Sequence, residues 1–251
     1  MQNRDIEKYS QDYINNEYNF EEIMVHYRRK KVLETLNKYN PKNILEIGCG
    51  TDSIFNYYKN FNKVIIIEPS DIFFNKAIRD LENHNIEIFN DFLENKVNLL
   101  KKNHNFDFII CSGLLHEVNN PDGFLKDILK VCNKGTIIHI NVPNSKSFHL
   151  LWAYKSGLIN KLGNLTNTAI KFQQNTTFDL NKLTQFVKNH IGGGCMILDS
   201  GSYFIKPFNH AKMSLCLENK ILDEKLLDGL YKLSDYMPEF GAEIFVDIKI
   251  V

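Results

Sequence analysis

Five short runs rich in β-branched and aromatic residues, separated by stretches of helical character, constrain the fold more than any other feature of this sequence. The runs occupy residues 43–47, 63–67, 86–89, 106–110 and 136–140. Strand-like runs that alternate with helical stretches are typical of βαβ units, in which successive strands pair in parallel. We therefore expect an α/β domain built on a largely parallel sheet.

The segments on either side of these runs extend the pattern. Residues 6–37 carry apolar positions at helical spacing until Pro41 ends the pattern. Beyond Pro143 we expect helices at 148–162, 178–190 and 222–237, and strands at 196–204, 213–217 and 243–251. The predicted fold is a Rossmann-like seven-stranded, mostly parallel sheet with helices on both faces, an antiparallel last strand, N-terminal helices and an inserted cover.

The domain organisation follows from the absence of any internal repeat, low-complexity tract or Pro/Gly/Ser-rich linker in the sequence. We expect residues 1–251 to form a single domain. Its predicted parts are an N-terminal helical cap (1–40), a cofactor-binding half (41–143), an acceptor cover (144–190), and closing strands with a helix (191–251). Within the cover, residues 162–177 are rich in Asn, Thr and Gln, which predicts a lid or acceptor-binding loop.

The charges of the chain balance, since 30 Lys and Arg residues face 30 Asp and Glu residues. This balance gives no global positive field and disfavours a nucleic-acid substrate. The start of the chain is polar, and no run approaches the roughly 18 apolar residues of a membrane span, so we expect a cytoplasmic protein. The five cysteines are scattered and form no Cys-x-x-Cys pair, which predicts reduced thiols and no metal site.

A glycine-containing turn, Glu46-Ile47-Gly48-Cys49-Gly50-Thr51, follows the first predicted strand directly. Glycine lets the backbone approach a ligand closely, and the helix start offers N–H groups. Glu68 ends the next strand, where a carboxylate accepts both hydroxyls of a ribose. An unphosphorylated ribose leaves NAD and S-adenosylmethionine as candidate cofactors. Asp52 stands where a dinucleotide motif would continue and would repel a pyrophosphate, which favours S-adenosylmethionine.

Two further strand ends carry groups suited to the same cofactor. Asn90-Asp91-Phe92 follows the third strand and offers a carboxylate for the adenine amino group and a ring to cover the base. Ser112 and Gly113 follow the fourth strand and place backbone near the methionine part of the cofactor. Tyr27 and Arg28 are candidates to bind the carboxylate of that methionine part. The alternative is that Glu68 and Asp91 only cap the helices that follow. The candidate cofactor-binding residues are Tyr27, Arg28, Glu46, Gly48, Cys49, Gly50, Glu68, Pro69, Ser70, Asn90, Asp91, Phe92, Ser112 and Gly113.

These motifs, together with residues 106–118, resemble the successive motifs of class I S-adenosylmethionine-dependent methyltransferases over residues 25–143. The resemblance implies a methyltransferase with S-adenosylmethionine as cofactor and S-adenosylhomocysteine as product. Asp52 departs from the family at the third glycine of the first motif. A second resemblance, to a bacterial subgroup linked to surface-polysaccharide biosynthesis, involves residues 140–144, 147–149, 204–207 and 237–243. It implies O-methylation of a sugar, nucleotide-sugar or phosphoramidate intermediate of a capsule or lipopolysaccharide.

Methyl transfer to a hydroxyl requires a group that removes the hydroxyl proton, and histidine is well matched to this role at neutral pH. His116 and Glu117 follow the fourth strand and His149 begins the predicted cover, so we expect the catalytic residues among these three. The alternative for His116 is a structural role in its loop, and His139, inside a strand run, is expected to be buried. Lys206 is either a contact for an anionic acceptor, such as a phosphate or uronate, or a surface residue.

Other functions remain open at this point. One is N- or C-methylation of another small metabolite, although an aromatic acceptor predicts more rings than the Asn- and Thr-rich cover offers. A non-catalytic Rossmann partner subunit is disfavoured because Glu46, Gly48, Gly50, Glu68 and Asp91 are all present. An NAD-dependent oxidoreductase is a further alternative, and it would be stabilised by NAD rather than by S-adenosylmethionine. The pattern specifies neither the acceptor nor the oligomeric state.

Overall fold

The computed structural model describes residues 5–15, 20–81, 85–165, 169–170 and 173–251. In chain order the helices and strands are α1 (Ile6–Ile14), α2 (Phe20–Tyr39), β1 (Asn43–Ile47), β2 (Lys63–Ile67), α3 (Asp71–Asp80), β3 (Ile86–Phe89), α4 (Leu93–Asn103), β4 (Phe108–Ser112), α5 (Pro121–Lys130), β5 (Ile137–Pro143), α6 (Phe148–Lys155), α7 (Leu180–Ile191), β6 (Cys195–Tyr203), α8 (His210–Glu218), α9 (Glu224–Lys232) and β7 (Glu243–Ile250).

The seven strands form one mixed sheet in the order β3-β2-β1-β4-β5-β7-β6. Neighbouring strands from β3 to β5 pair in parallel, whereas β7 runs antiparallel to both β5 and β6. The predicted Rossmann-like sheet is therefore confirmed. Because the chain order reverses between β1 and β4, a crevice opens outside the carboxyl ends of these two strands.

The central strands are buried on both faces, which explains why their sequences are continuous apolar runs rather than alternating ones. In β2, Ile65 and Ile67 belong to the core on one face of the sheet, while Val64 and Ile66 belong to the core on the other. A third apolar cluster joins α2, α8 and α9 to the ends of β6 and β7. This cluster fixes helix α2 against the last strands of the sheet.

The strand predicted at residues 213–217 is wrong, because these residues lie within helix α8. Met213, Leu215 and Leu217 fit the two-residue period of a strand, but short apolar runs do not distinguish strand from helix. In α8 Met213 is fully buried while Leu215 is 54% exposed, as helical rather than strand spacing requires. The side chain of Asn209 caps the helix by accepting a hydrogen bond from the backbone N–H of Lys212 at 3.0 Å.

Two predicted helices also differ from the structure in extent. The tract 6–37 contains two helices, since α1 ends at Ile14 with Asn15 as its C-cap and α2 begins at Phe20. Asparagine is a weak helix former that favours helix ends. The helix predicted at 148–162 ends at Lys155, because Gly157 adopts φ = 72°, a left-handed conformation outside the helix.

His139 is fully buried within β5, as expected. Gly192, with φ = 60°, is the C-cap of α7. Within the described ranges, no helix combines the length and apolarity needed to cross a bilayer. The same ranges contain no group of three or more His, Cys, Asp or Glu side chains arranged to hold a metal ion. Part of the predicted lid at 162–177 lies outside the described residues.

Candidate active site

A cavity of about 870 Å³ opens at the carboxyl edge of the sheet. It is lined by the turn after β1, the residues that follow β2 and β4, helices α1, α2 and α6, and the segment that connects β6 to α8. Its volume lies in the range typical of small-molecule sites. The position is the one expected for a ligand of an open α/β sheet.

The turn after β1 presents bare backbone to the cavity. Gly48 and Gly50 both have positive φ, at 75° and 59°, and a Cβ added at Gly50 would meet no atom within 4 Å. Glu46, predicted to contact the cofactor, holds this turn in place by accepting hydrogen bonds from Ser53 Oγ (2.5 Å) and Ile54 N (3.2 Å). Burial raises the pKa of Glu46 to about 7. Its carboxyl group therefore acts mainly through the shape of the turn.

Glu68 connects this turn to the end of β2. Its buried carboxylate accepts hydrogen bonds from the backbone N–H groups of Gly50 (3.1 Å) and Ser70 (2.9 Å), and burial raises its pKa. Glu68 also lines the cavity, as do Cys49, Pro69 and Ser70. A carboxylate fixed in this way retains acceptor capacity on both oxygens, so it fits a cofactor that bears a ribose.

Asp52 does not present an uncompensated charge to the cavity, although it is among the lining residues. Its carboxylate pairs with the guanidinium of Arg29 and accepts a hydrogen bond from Tyr57 Oη at 2.7 Å. The expected repulsion of a pyrophosphate is therefore weakened by the positive charge on α2.

The segment after β3 agrees only in part with the sequence-based assignment. Phe92 lines the cavity, whereas Asn90 and Asp91 do not. Asp91 accepts hydrogen bonds from Phe92 N (2.8 Å) and Asn95 Nδ2 (2.6 Å) and pairs with Lys96 at 3.0 Å. The carboxylate of Asp91 thus has its partners at the start of α4. Asn90 likewise donates to Asp71 Oδ1 at 2.7 Å.

Tyr27 and Arg28, neighbours on α2, point in different directions. Tyr27 is buried in the third apolar cluster, where its ring packs against those of Phe204 (4.7 Å) and Tyr231 (5.1 Å), and it is not among the residues that line the cavity. Arg28 lines the cavity beside Gly113. Its Nε lies 3.0 Å from both carboxylate oxygens of Glu243.

The electrostatics around Arg28 are balanced by acidic groups. Burial by itself would lower the pKa of Arg28, but the adjacent Glu243 carboxylate holds it well above its ordinary value. Glu21 lies 3.7 Å from the same guanidinium, and Tyr203 Oη donates a hydrogen bond to Glu243. Arg28 is therefore a fixed positive charge at the end of β4.

Ser112 and Gly113 line the cavity where β4 ends. Gly113 adopts φ = 66°, and its N–H donates to the backbone oxygen (3.0 Å) and to the side-chain Oδ1 (2.8 Å) of Asn141. The turn is thus oriented by an asparagine of the neighbouring strand β5.

All three candidate catalytic residues line the cavity. His116 and Glu117 are buried, with His116 Nε2 3.7 Å from Glu117 Oε1. Tyr9 Oη of α1 donates to the same Glu117 oxygen at 3.3 Å. His149 Nδ1 lies 3.0 Å from Ser147 Oγ. Burial, together with nearby positive charge, lowers the pKa of His149 to about 2, so its imidazole is neutral at physiological pH.

We define the cover side of the cavity by His149, Trp152, Lys206, Phe208 and His210. Lys206 is only 4% exposed, which excludes the surface role that the sequence left open. The rings of Trp152 and Phe208 lie 5.3 Å apart and form an aromatic wall. Trp152 of this wall belongs to the predicted cover, whereas Phe208 comes from a distant segment of the chain.

Sequence reasoning did not identify Glu21, His210 or Glu243 as site residues. Glu243 opens β7 and pairs in register with Tyr203, the last residue of β6. Because β7 is antiparallel, its first residue lies at the same edge of the sheet as the carboxyl ends of the parallel strands. In the sequence, the signal that could have identified Glu243 as a site residue was an acidic residue at the start of the last predicted strand.

The glycine turn after the first strand and the buried carboxylate after the second define a Rossmann-like domain that binds a nucleoside-bearing cofactor. A family model described as a methyltransferase domain matches residues 20–189, more than half of the sequence, and the chain belongs to this family. It is an S-adenosylmethionine-dependent methyltransferase. This assignment sets aside both the NAD-dependent oxidoreductase and the non-catalytic subunit. A comparison with curated proteins finds no match.

Solved structures share the fold at low sequence identity. The plantazolicin methyltransferase BpumL, in complex with a monoazolic desmethylPZN analog and SAH, is 18% identical, with a TM-score of 0.56 over 97% of this chain and 89% of that one. The N-methyltransferase NodS from Bradyrhizobium japonicum, in complex with S-adenosyl-L-homocysteine, is 9% identical, with a TM-score of 0.53 over 94% and 89%. The [4+2]-cyclase SpnF is 17% identical, with a TM-score of 0.51 over 84% and 75%. Fold likeness alone therefore leaves the acceptor to be argued from the site.

Proposed function

We propose that this methyltransferase transfers a methyl group to a hydroxyl of a saccharide-type acceptor, such as a sugar, nucleotide-sugar or phosphoramidate intermediate of a bacterial surface glycan. The observation that carries this proposal is the cover side of the cavity, where a neutral histidine and a buried lysine adjoin an aromatic wall. Such a wall suits the apolar face of a sugar ring, and the polar side chains suit its hydroxyls. The sequence resemblance of residues 140–144 and 204–207 to the polysaccharide-associated subgroup supports the same class of acceptor.

The cofactor occupies the strand side of the cavity in this proposal. Glu68 binds the ribose hydroxyls, Phe92 packs against the adenine, and Arg28 binds the methionine carboxylate. The bare backbone of Gly48 and Gly50 allows the nucleoside to approach closely. When bound, S-adenosylmethionine supplies an electrophilic methyl group on a sulfonium centre.

His116 is the proposed general base. Its Nε2 faces the carboxylate of Glu117, which stabilises the imidazolium once the acceptor hydroxyl has given up its proton. His116 would accept the hydroxyl proton while the acceptor oxygen takes the methyl group that bound S-adenosylmethionine would supply, with S-adenosylhomocysteine as the other product. His149 is too weakly basic to accept this proton, and we assign it the role of positioning the acceptor by hydrogen bonding.

The cofactor assignment is tested with Glu68→Gln. We expect the affinity for S-adenosylhomocysteine to fall about tenfold or more, because a carboxylate that accepts ribose hydroxyls forms charge-assisted hydrogen bonds. Glu87→Gln is the matched control, since Glu87 is an exposed carboxylate on the next strand. Calorimetric titration of both variants decides the question, and equal binding by Glu68→Gln and wild type would contradict the assignment.

The base assignment is tested by methyl transfer from labelled S-adenosylmethionine to a panel of sugars and sugar phosphates. We expect His116→Gln to lower kcat about 100-fold or more with unchanged S-adenosylhomocysteine affinity, and His149→Gln to raise KM for the acceptor. His104→Gln, at the end of α4, is the control and should behave as wild type. Wild-type turnover by a His116→Gln, His149→Gln double variant would refute both roles.

The acidic side chains of the cavity favour a second candidate, N-methylation of an amine. Glu21 and Glu117 both line the cavity, and carboxylates attract the ammonium form of an amine acceptor. The two candidates are separated by offering each sugar of the panel in hydroxyl and amino forms. Methylation of the amino sugars alone would replace the O-methylation proposal with this one.

A further inference from the structure

Lys206 has a charged end that is almost entirely removed from solvent. It follows β6 directly, is 4% exposed, and lines the cover side of the cavity. Lysine is rarely buried to this degree without a partner, because transferring an ammonium out of water costs several kcal/mol unless something compensates its charge. The contacts of Lys206 therefore indicate what the cavity is built to hold.

No carboxylate in the described part of the chain lies within 4.0 Å of the Lys206 ammonium. Its nearest polar contact is His210 Nδ1, at 3.4 Å from Nζ. The two closest acidic groups have other partners. Glu21 is 3.1 Å from His210 Nε2 and 3.7 Å from Arg28, while Glu243 binds Arg28 and Tyr203.

A neutral imidazole is also a suitable neighbour for an anion. His149 on α6 is close enough to Lys206 and His210 for their charges to influence it. A neutral histidine can donate one N–H to an anionic oxygen without adding positive charge. The ammonium supplies up to three donors. His210 Nδ1 accepts one of them and His210 Nε2 faces Glu21, so the donors offered to the cavity are those of Lys206 and His149.

We propose that Lys206, together with His149, binds an anionic group of the methyl acceptor, namely a phosphate or a carboxylate, and that His210 positions the Lys206 ammonium. This inference rests on the proposed function, in which the acceptor occupies the cover side. Phe208, two residues beyond Lys206, belongs to the aromatic wall, so an acceptor bound at Lys206 places its ring skeleton against Phe208 and Trp152. The substrate class is then a phosphorylated or carboxylated saccharide rather than a neutral one.

The first experiment measures anion binding to the enzyme saturated with S-adenosylhomocysteine, which fills the strand side. Inorganic phosphate and acetate are the probes, and calorimetry or thermal shift is the readout. We expect at least one probe to bind wild type, and Lys206→Met to weaken that binding about tenfold or more, as loss of a charge-assisted hydrogen bond requires. Lys225→Met, an exposed lysine of α9, is the matched control and should bind as wild type. Equal binding by Lys206→Met, or no binding of either probe to wild type, would overturn the proposal.

The second experiment separates this inference from the proposed function. Methyl glucoside, glucose 1-phosphate and glucuronate are offered as acceptors to wild type and Lys206→Met. Methylation of the anionic sugars, with KM raised about tenfold or more in Lys206→Met, supports both proposals. Methylation of methyl glucoside and of the anionic sugars alike, with no change of KM for the anionic sugars in Lys206→Met, supports O-methylation and overturns the anion site. Loss of probe binding in Lys206→Met without methylation of any sugar supports the anion site and contradicts the saccharide acceptor.

Discussion

Lys206 illustrates at the residue scale how a binding group can lower the stability of the protein that carries it. Burial lowers its pKa to about 8, although Glu21 and Glu243 act in the opposite direction. The other titratable groups facing it are His149 and His210. A lysine whose pKa is lower in the folded than in the unfolded state stabilises the fold only when it is neutral. Its stabilising contribution is present above the unfolded pKa of about 10.4 and is lost as the pH falls through 8.

We therefore predict that Lys206→Met raises the free energy of unfolding at pH 7, by on the order of 1–3 kcal/mol, while it weakens acceptor binding. The stabilisation should shrink as the pH rises from 8 toward 10. Urea unfolding at pH 7 and pH 9.5, with Lys225→Met as the control, measures both effects. A variant less stable than wild type at pH 7 would show that the ammonium is already well compensated in the free protein.

The residues that sequence reasoning placed correctly in the cavity are those whose position depends on one strand and the turn after it. Gly48, Gly50 and Glu68 lie where their strands end, so the strand pattern alone located them. Asp91 shows the limit of this reasoning, since a carboxylate at a strand end can serve either a ligand or the next helix. Glu21 and Glu243 meet at Arg28 only because the last strand returns antiparallel, and no local pattern reports that pairing.

At the scale of elements, a buried polar chain crosses three adjacent strands and ends at the cavity. Asp247 of β7 lies 2.6 Å from His139 Nδ1, and His139 Nε2 lies 3.0 Å from Asn141 Nδ2 on the same strand β5. Asn141 Oδ1 then accepts from Gly113 N at the end of β4. Because Asn141 Nδ2 is a donor, His139 Nε2 must accept, so the imidazole proton is on Nδ1 and points to Asp247. These hydrogen bonds fix the orientation of the Asn141 side-chain amide, so that its Oδ1 faces Gly113 N.

Asn141→Ala should consequently weaken S-adenosylhomocysteine binding by several-fold to about tenfold, beyond its effect on folding. Thr136→Ala is the matched control, because Thr136 is a buried residue at the opposite edge of the sheet whose Oγ1 donates to Phe106 O at 2.7 Å. It should lose stability and keep its affinity. If both variants lose stability and neither loses affinity, the polar chain serves folding alone.

The elements themselves were largely predictable, for a physical reason. The strands β1, β2, β4 and β5 are buried on both faces, so their apolar runs are continuous and unambiguous. Helix α8 is half exposed and short, and its apolar residues satisfied both helical and strand periods. Tertiary packing of Met213 in the third apolar cluster, rather than local sequence, decided in favour of the helix.

At the scale of the whole molecule, helix α1 connects the two sides of the cavity. Ser10 Oγ lies 2.7 Å from Ser70 Oγ at the end of β2, and Tyr9 Oη reaches Glu117. The start of the helix is held by Gln173 of the cover, which exchanges two hydrogen bonds with the backbone of Asp5. The cover in turn binds the loop that carries His116, because Asn175 N and Thr176 N donate to His116 O at 2.9 and 3.1 Å.

Cofactor binding should therefore slow amide hydrogen exchange in α1. If α1 must lift before the nucleotide can leave, S-adenosylhomocysteine at 100 times its Kd should slow exchange in α1 by up to about 100-fold. Ser10→Ala should reduce this protection, and amides of α9 serve as the internal control. Unchanged exchange in α1 would show that the nucleotide enters by another route.

The position of α1 has a consequence for the pattern of products. A single helix contacts both Ser70, beside the proposed ribose site, and Glu117, beside the proposed base. A movement of α1 that releases spent cofactor would therefore also uncover the acceptor. We expect a substrate with several reactive hydroxyls to diffuse away after each methylation rather than stay for the next. Monomethylated product should then accumulate while unmodified substrate remains. Dimethylated product should appear only after monomethylated product has bound again, in competition with unmodified substrate.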